Sequence, residues 1–193
     1  MSTDLIVVLA VVGLLGAMVI GIFNKLVRLR NQVDNAFAQI DVQLQRRYDL
    51  IPNLVEVAKT FMAHERETLE AVLQARNGAK AAADQAKASG ETGALVAAEA
   101  ALGGAMLRLN AVAEAYPELK ADKQMSELNE ELSTTENRVG FARQAYNDGV
   151  TAYNTAQQVF PAVLFASAFG HRPRDEWVVE ELEAKNPVKV SFD

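Results

Sequence analysis

The sequence predicts an all-α protein: an N-terminal transmembrane helix that continues into an antiparallel up-down-up-down four-helix bundle of coiled-coil type. Three observations carry this reading. An uncharged apolar run lies near the start, apolar residues then step by threes and fours, and few breaks interrupt the steps. Half of the residues are hydrophobic and only 7% are aromatic, a balance that suits close helix packing better than a β-sandwich. Of five prolines, only Pro52 and Pro117 interrupt the periodic middle of the chain.

With 193 residues there is room for one domain and an anchor. We divide the chain into an N-terminal tail with the transmembrane helix (1–23), the bundle (24–160), and an apolar segment with the C-terminal tail (161–193). The net charge of -6, without any dense Lys/Arg run, excludes a nucleic-acid binder. Having no cysteine, the chain has no disulfide, thiolate nucleophile, Cys-ligated zinc or thiol-linked lipid.

Leu5 to Phe23, LIVVLAVVGLLGAMVIGIF, contains no charged side chain. As a helix it spans roughly 28 Å, close to the thickness of a bilayer's hydrocarbon core. The short leader has no Lys or Arg, and no small-x-small cleavage site follows, so an anchor is expected rather than a cleaved signal. Lys25, Arg28 and Arg30 come directly after the span, whereas Asp4 precedes it. This asymmetry places the C-terminal domain in the cytoplasm.

No Pro or Gly occurs between Asn24 and Ile51, so the anchor and the first bundle helix form one rod. Its stripe is Leu26, Leu29, Val33, Ala36 with Phe37, Ile40, Leu44 and Tyr48. Asp49-Leu50-Ile51-Pro52 is expected to reverse the chain, because the residue before proline disfavours helix and proline suits a new first turn. A second helix then carries Leu54, Val57, Ala58, Phe61, Leu69, Val72 and Ala75, and frays through Gly78, Ser89, Gly90 and Gly93.

A third helix presents Leu95, Ala98, Leu102, Ala105 with Met106, Leu109, Val112 and Tyr116, and Pro117 stops it. In the fourth, Leu128, Leu132, Thr135, Val139, Ala142, Tyr146, Gly149, Tyr153, Ala156 and Phe160 alternate steps of four and three. That is a heptad seam, with rings at one position and small residues at the other. Core packing accounts for these aromatics without a cofactor.

Alternation of direction returns both the turn after helix two and the end of helix four to the bilayer, where Lys80 and Lys87 would face anionic headgroups. The stretch from Val159 to Phe169 is apolar for a bundle terminus. Phe160, Val163, Leu164, Phe165 and Phe169, with Trp177 in the tail beyond, are therefore candidates for membrane-interface or oligomer contact. Folding back to cap the bundle's own core is the competing reading. Val188 to Phe192 alternate apolar and polar, as in a short strand added to a partner's sheet edge, or they belong to a subunit-crossing or disordered tail.

Chemistry is hard to find. His64 and His171 are the only histidines and lie in no metal-ligand spacing, so no metal is expected. No GxSxG, P-loop or GxGxxG motif with a binding context occurs, no cofactor is expected, and Glu127, Glu130, Glu131 and Glu136 lack the histidines of a di-iron bundle. One polar cluster stands out: Arg46, Arg47, Asp49 and Asn53, around the presumed membrane-distal turn at Pro52. It is either a partner-docking tip or helix capping with dipole compensation.

LVRLRNQVDNAFAQIDVQLQRRYDLIPNLVEVAK (Leu26 to Lys59) closely resembles the N-terminal signature of the LemA family of bacterial membrane proteins. The likeness continues through HERETLEAVLQAR, AEAYPELKAD and ENRVGFARQAYNDGVTAYN, and covers about Leu26 to Phe160. The resemblance implies a membrane-anchored four-helix bundle with no known enzymatic activity. It also points to a bacterial inner membrane, and to membrane proteases or TPM-domain proteins as genomic neighbours of the family; a magnetosome relative is associated with membrane formation. The expected function is a non-enzymatic scaffold that self-associates into a homo-oligomer on the lipid bilayer and organises membrane or partner proteins. The alternative is an adaptor or regulator of a membrane protease or other membrane complex.

Overall fold

The computed structural model describes residues 3–178. Every regular element among them is helical: α1 (Thr3–Phe61), α2 (Arg66–Ser89), α3 (Gly93–Ala113), the single-turn α4 (Pro117–Ala121), α5 (Lys123–Gln158), and a short 3-10 turn at Ala162–Leu164. The strand expected at Val188 to Phe192 lies outside the described residues.

The anchor and the first bundle helix are one rod, but the rod is longer than expected. The reversal predicted at Pro52 does not occur, and α1 passes through that proline to Phe61. A helical proline lacks an N–H and strands the carbonyl four residues earlier. Here that carbonyl belongs to Tyr48, and Arg76 of α2 donates to it from Nε at 2.8 Å. The lost backbone bond is replaced from outside the helix, so Leu54, Val57, Ala58 and Phe61 belong to α1 and not to a second helix.

The chain reverses instead at Met62 to Glu65. Met62 donates to the Ala58 carbonyl at 2.8 Å and is fully buried, and the Tyr116 hydroxyl donates to Glu65 at 3.0 Å across the same end. Helix α2 continues through Gly78, presenting buried Ala79, Ala83 and Ala86, and ends at Gly90 in the left-handed conformation (φ 77°), where glycine carries no side-chain penalty. Pro117 opens α4 rather than merely ending α3. Asp122 caps α5, its side chain accepting from the Met125 N–H at 2.8 Å.

The seams pack as their periods require. Leu26, Val33, Ile40, Leu44 and Tyr48 of α1 and Leu132, Thr135, Val139, Tyr146, Tyr153 and Ala156 of α5 are buried. Helix α1 pairs antiparallel with α5: Phe37 meets Tyr146, and Gly149 leaves just enough room for Val33, whose methyl would lie 3.6 Å from an added Cβ. Helix α2 also runs antiparallel to α1, as Tyr48 with Arg76 and Asp41 with Lys87 show. The seam ends at Ala156, and Phe160, beyond the end of α5, stands 78% exposed.

The turn between α2 and α3 does not return to the anchor's end. Lys87 pairs with Asp41 at 2.6 Å, and at 1.5 Å per residue Asp41 stands about 27 Å along α1 from Phe23. Helix α2 is too short to reach further, so Lys87 serves an intramolecular pair rather than headgroups.

Candidate functional site

Three surfaces follow from this packing. The first is a collar at the junction of anchor and domain. After α5, residues Val159 to Gly170 turn repeatedly: Val163 donates to the Val159 carbonyl, Ala166 to that of Ala162, and His171 to that of Ala166. Ala162 and Ala166 are buried, and Ala166 joins Ala156 in covering Leu26. Phe169 meets Phe23 edge-on with ring centres 5.3 Å apart, and Phe165 stacks on Phe169. The other side of the collar has no cover: Val163 is 50% and Leu164 64% exposed, beside Phe160. The apolar segment therefore both folds back and faces outward, through different residues.

His171 closes the collar. Its ring lies near Phe23, with centres 6.3 Å apart, and Nδ1 shares a 2.9 Å hydrogen bond with the Tyr153 hydroxyl. Burial, with the nearby Arg30 charge second, lowers its pKa below the ordinary histidine value. Lys25, Arg28 and Arg172 are exposed and form no ion pair among the described residues, while Arg30 has only a 3.9 Å contact to Asp34.

From Arg172 the chain runs back along α5 as an extended strap. Asn154 grips Arg174 twice, donating from Nδ2 to its carbonyl (2.8 Å) and accepting its N–H at Oδ1 (2.9 Å). Asn147 grips Trp177 in the same way, at 3.0 and 2.8 Å. Seven helical residues rise about 10.5 Å, and three extended residues cover about 10 Å, so asparagines one heptad apart match every third residue of the strap. Tyr146 donates to the Asp175 carbonyl, and Arg174 binds Asp34. Trp177 is held 3% exposed against the bundle core. This corrects its assignment to a membrane or oligomer contact, because the strap carries it up α5 and away from the anchor. The clamping residues were missed, although the repeated Ala-Tyr-Asn at 145–147 and 152–154 marks them.

The polar cluster at Arg46, Arg47, Asp49 and Asn53 is not at a tip, since α1 continues past it. Adjacent helical residues point about 100° apart, and the group splits accordingly. Arg47 turns inward: its Nη1 donates to Glu99 at 2.9 Å, with side chains only 12% and 9% exposed, and Glu99 also accepts from the Tyr48 hydroxyl at 2.6 Å. Arg46, Asp49 and Asn53 line an open groove on the outer face, Arg46 lying 3.6 Å from Glu131 and Asp49 3.9 Å from Arg76. Arg47 and Glu99 thus belong to a buried hydrogen-bonded pair.

The third surface is the α3 side. Helix α3 packs on α2 but not along α5, and the two face each other across a cleft of about 600 Å³ lined by Met106 and Leu107 on one side and Met125 and Leu132 on the other. Its outward residues Ala97, Ala101, Gly104 and Ala111 are exposed, and Leu107 is 72% exposed. By length and composition α3 is apolar enough to cross a membrane.

A long apolar N-terminal helix continuous with a helical domain defines a membrane-associated, all-helical protein. The chain belongs to the LemA family, which it matches over residues 36–192, a range that takes in the collar and the strap. It is similar to the magnetosome protein MamQ of Magnetospirillum gryphiswaldense, with 23% identity over 185 residues that cover 86% of this chain and 68% of the relative.

Proposed function

We propose that this chain is a non-enzymatic scaffold, anchored in the bacterial inner membrane with its domain in the cytoplasm, that self-associates and organises membrane or partner proteins. The observation that carries the reading is the outward face of α3. An apolar helix with small residues and an exposed Leu107 beside an unfilled cleft is a surface that a second copy can cover. Lys25, Arg28 and Arg30 after the span support the orientation. The similarity to a magnetosome protein fits a structural task better than a catalytic one.

Light scattering coupled to size exclusion, on the full chain in mild detergent, tests the scaffold. A discrete particle of several copies is expected, and Leu107→Glu should reduce it to a smaller species with unchanged helicity. A monomeric wild type would overturn self-association and favour an adaptor, docking through the exposed Arg46, Asp49 and Asn53.

A further inference from the structure

We propose that the collar is a second membrane contact: Phe160, Val163 and Leu164 enter the interface of the leaflet that the anchor leaves, and Lys25, Arg28 and Arg172 hold its anionic headgroups. The inference does not depend on self-association.

Position argues for it first. A span from Leu5 to Phe23 matches the hydrocarbon thickness, which puts Phe23 at the boundary. The ring contact between Phe23 and Phe169 then fixes the collar at that depth, not out in solvent. The division of the collar argues for it next. Ala162 and Ala166 face Leu26 inside the protein, while the three larger side chains point away from it. A segment that merely capped the core would bury its large residues and expose its alanines; this one does the reverse. Interfacial segments bury their apolar face 5–10 Å deep, within reach of a collar joined to the end of the span.

Charge supplies the third argument. The uncovered apolar residues are bordered by cations without acidic partners among the described residues, and no carboxylate occurs in the sequence between Asp4 and Asp34. Cations beside an apolar wedge complement an anionic leaflet, whereas a second copy of this collar would bring like charges together.

The test uses the full chain reconstituted in vesicles of phosphatidylcholine mixed with phosphatidylglycerol. Trp177 is first replaced by Phe; its indole N–H has no partner among the described residues, so Phe is a close substitute. Single tryptophans are then introduced as Phe160→Trp, Val163→Trp or Leu164→Trp, with Leu107→Trp as the reference. Lipids brominated on the acyl chains should quench the three collar probes several-fold more than the reference, with blue-shifted emission. Quenching should weaken in pure phosphatidylcholine and in Arg172→Gln. Collar probes quenched no more than the reference overturn the wedge; a blue shift without quenching does so too, by assigning the cover to protein. Equal quenching in the two lipid compositions overturns the headgroup contact.

Discussion

Arg76 donates to the main-chain oxygen of Tyr48, the acceptor that Pro52 leaves without its helical N–H. A guanidinium on α2 thus permits α1 to continue for another two and a half turns, and the same bond ties the two helices together. Removing the donor while keeping its apolar stem, as in Arg76→Met, should cost about 1–3 kcal/mol, the penalty of an unpaired buried carbonyl. In a Pro52→Ala background residue 52 supplies the missing N–H, so Arg76→Met should cost about 1 kcal/mol less there. Thermal unfolding of the four proteins of this cycle, followed by circular dichroism in detergent, measures the coupling. Purely additive effects would contradict the assigned role.

Glu99 is expected to be the most sensitive single carboxylate. It receives both Arg47 and the Tyr48 hydroxyl in a largely buried setting. Glu99→Ala strands a buried guanidinium and should cost about 3–5 kcal/mol. Glu99→Gln keeps an acceptor and should cost distinctly less. Substituting the exposed Glu130 by alanine should change stability by about 0.5 kcal/mol or less.

The tyrosines predict an alkaline limit. Burial first, then the hydrogen bond and charge of Glu99, raise the Tyr48 pKa far above its usual value, and burial also raises Tyr146 and Tyr153. In the unfolded chain these phenols ionise near pH 10, whereas in the folded protein they stay protonated, so their contribution is complete below pH 10 and is lost as pH rises beyond it. Each phenol held neutral adds about 1.4 kcal/mol per pH unit to that decline. Tyr48→Phe should therefore flatten stability against pH above 10, measured by urea unfolding, even though it lowers stability at neutral pH.

The asparagine clamps set the exposure of the strap. Asn154→Ala removes both bonds to Arg174, and Asn147→Ala both bonds to Trp177. If each pair is worth about 1–3 kcal/mol, strap opening rises by roughly 5- to 150-fold per substitution. Tryptic cleavage after Arg174 should accelerate accordingly, with Trp177 emission shifting red. Unchanged cleavage would show that Trp177 burial alone holds the strap.

The parts legible in the sequence were those governed by local periodicity. The α1 stripe and the α5 seam recur at helical spacing, and nearly every named position is buried. Pro52 misled because proline's local clash is visible in sequence, whereas its remedy, Arg76, is distant in the chain and carries no local mark. The apolar run at 159–169 was visible, but its two sides were not. They depend on where α5 ends and on Leu26 and Phe23 as the platform. Trp177 looked like an interfacial aromatic because its neighbours are charged, yet Asn147 folds it inward.

His171 makes the collar sensitive to acid. Its neutral ring is wedged between Phe23 and Tyr153, and burial, with Arg30 second, depresses its pKa. A depressed histidine binds its proton more weakly in the folded protein than in the unfolded chain, where it titrates near 6.5. Its contribution is therefore intact above pH 6.5 and is lost as pH falls below that value toward the folded pKa. Because the histidine touches only the collar, Tyr153 and the anchor's end, the loss should be local: between pH 7.5 and 5 the collar should loosen from Phe23 while the bundle stays folded. Hydrogen exchange at residues 165–171, compared with residues 139–150, reads this directly. His171→Phe keeps the ring but cannot titrate, and should remove the pH dependence of the collar while leaving that of the bundle unchanged. If the variant's collar still loosened over the same interval, the proton would have to act elsewhere.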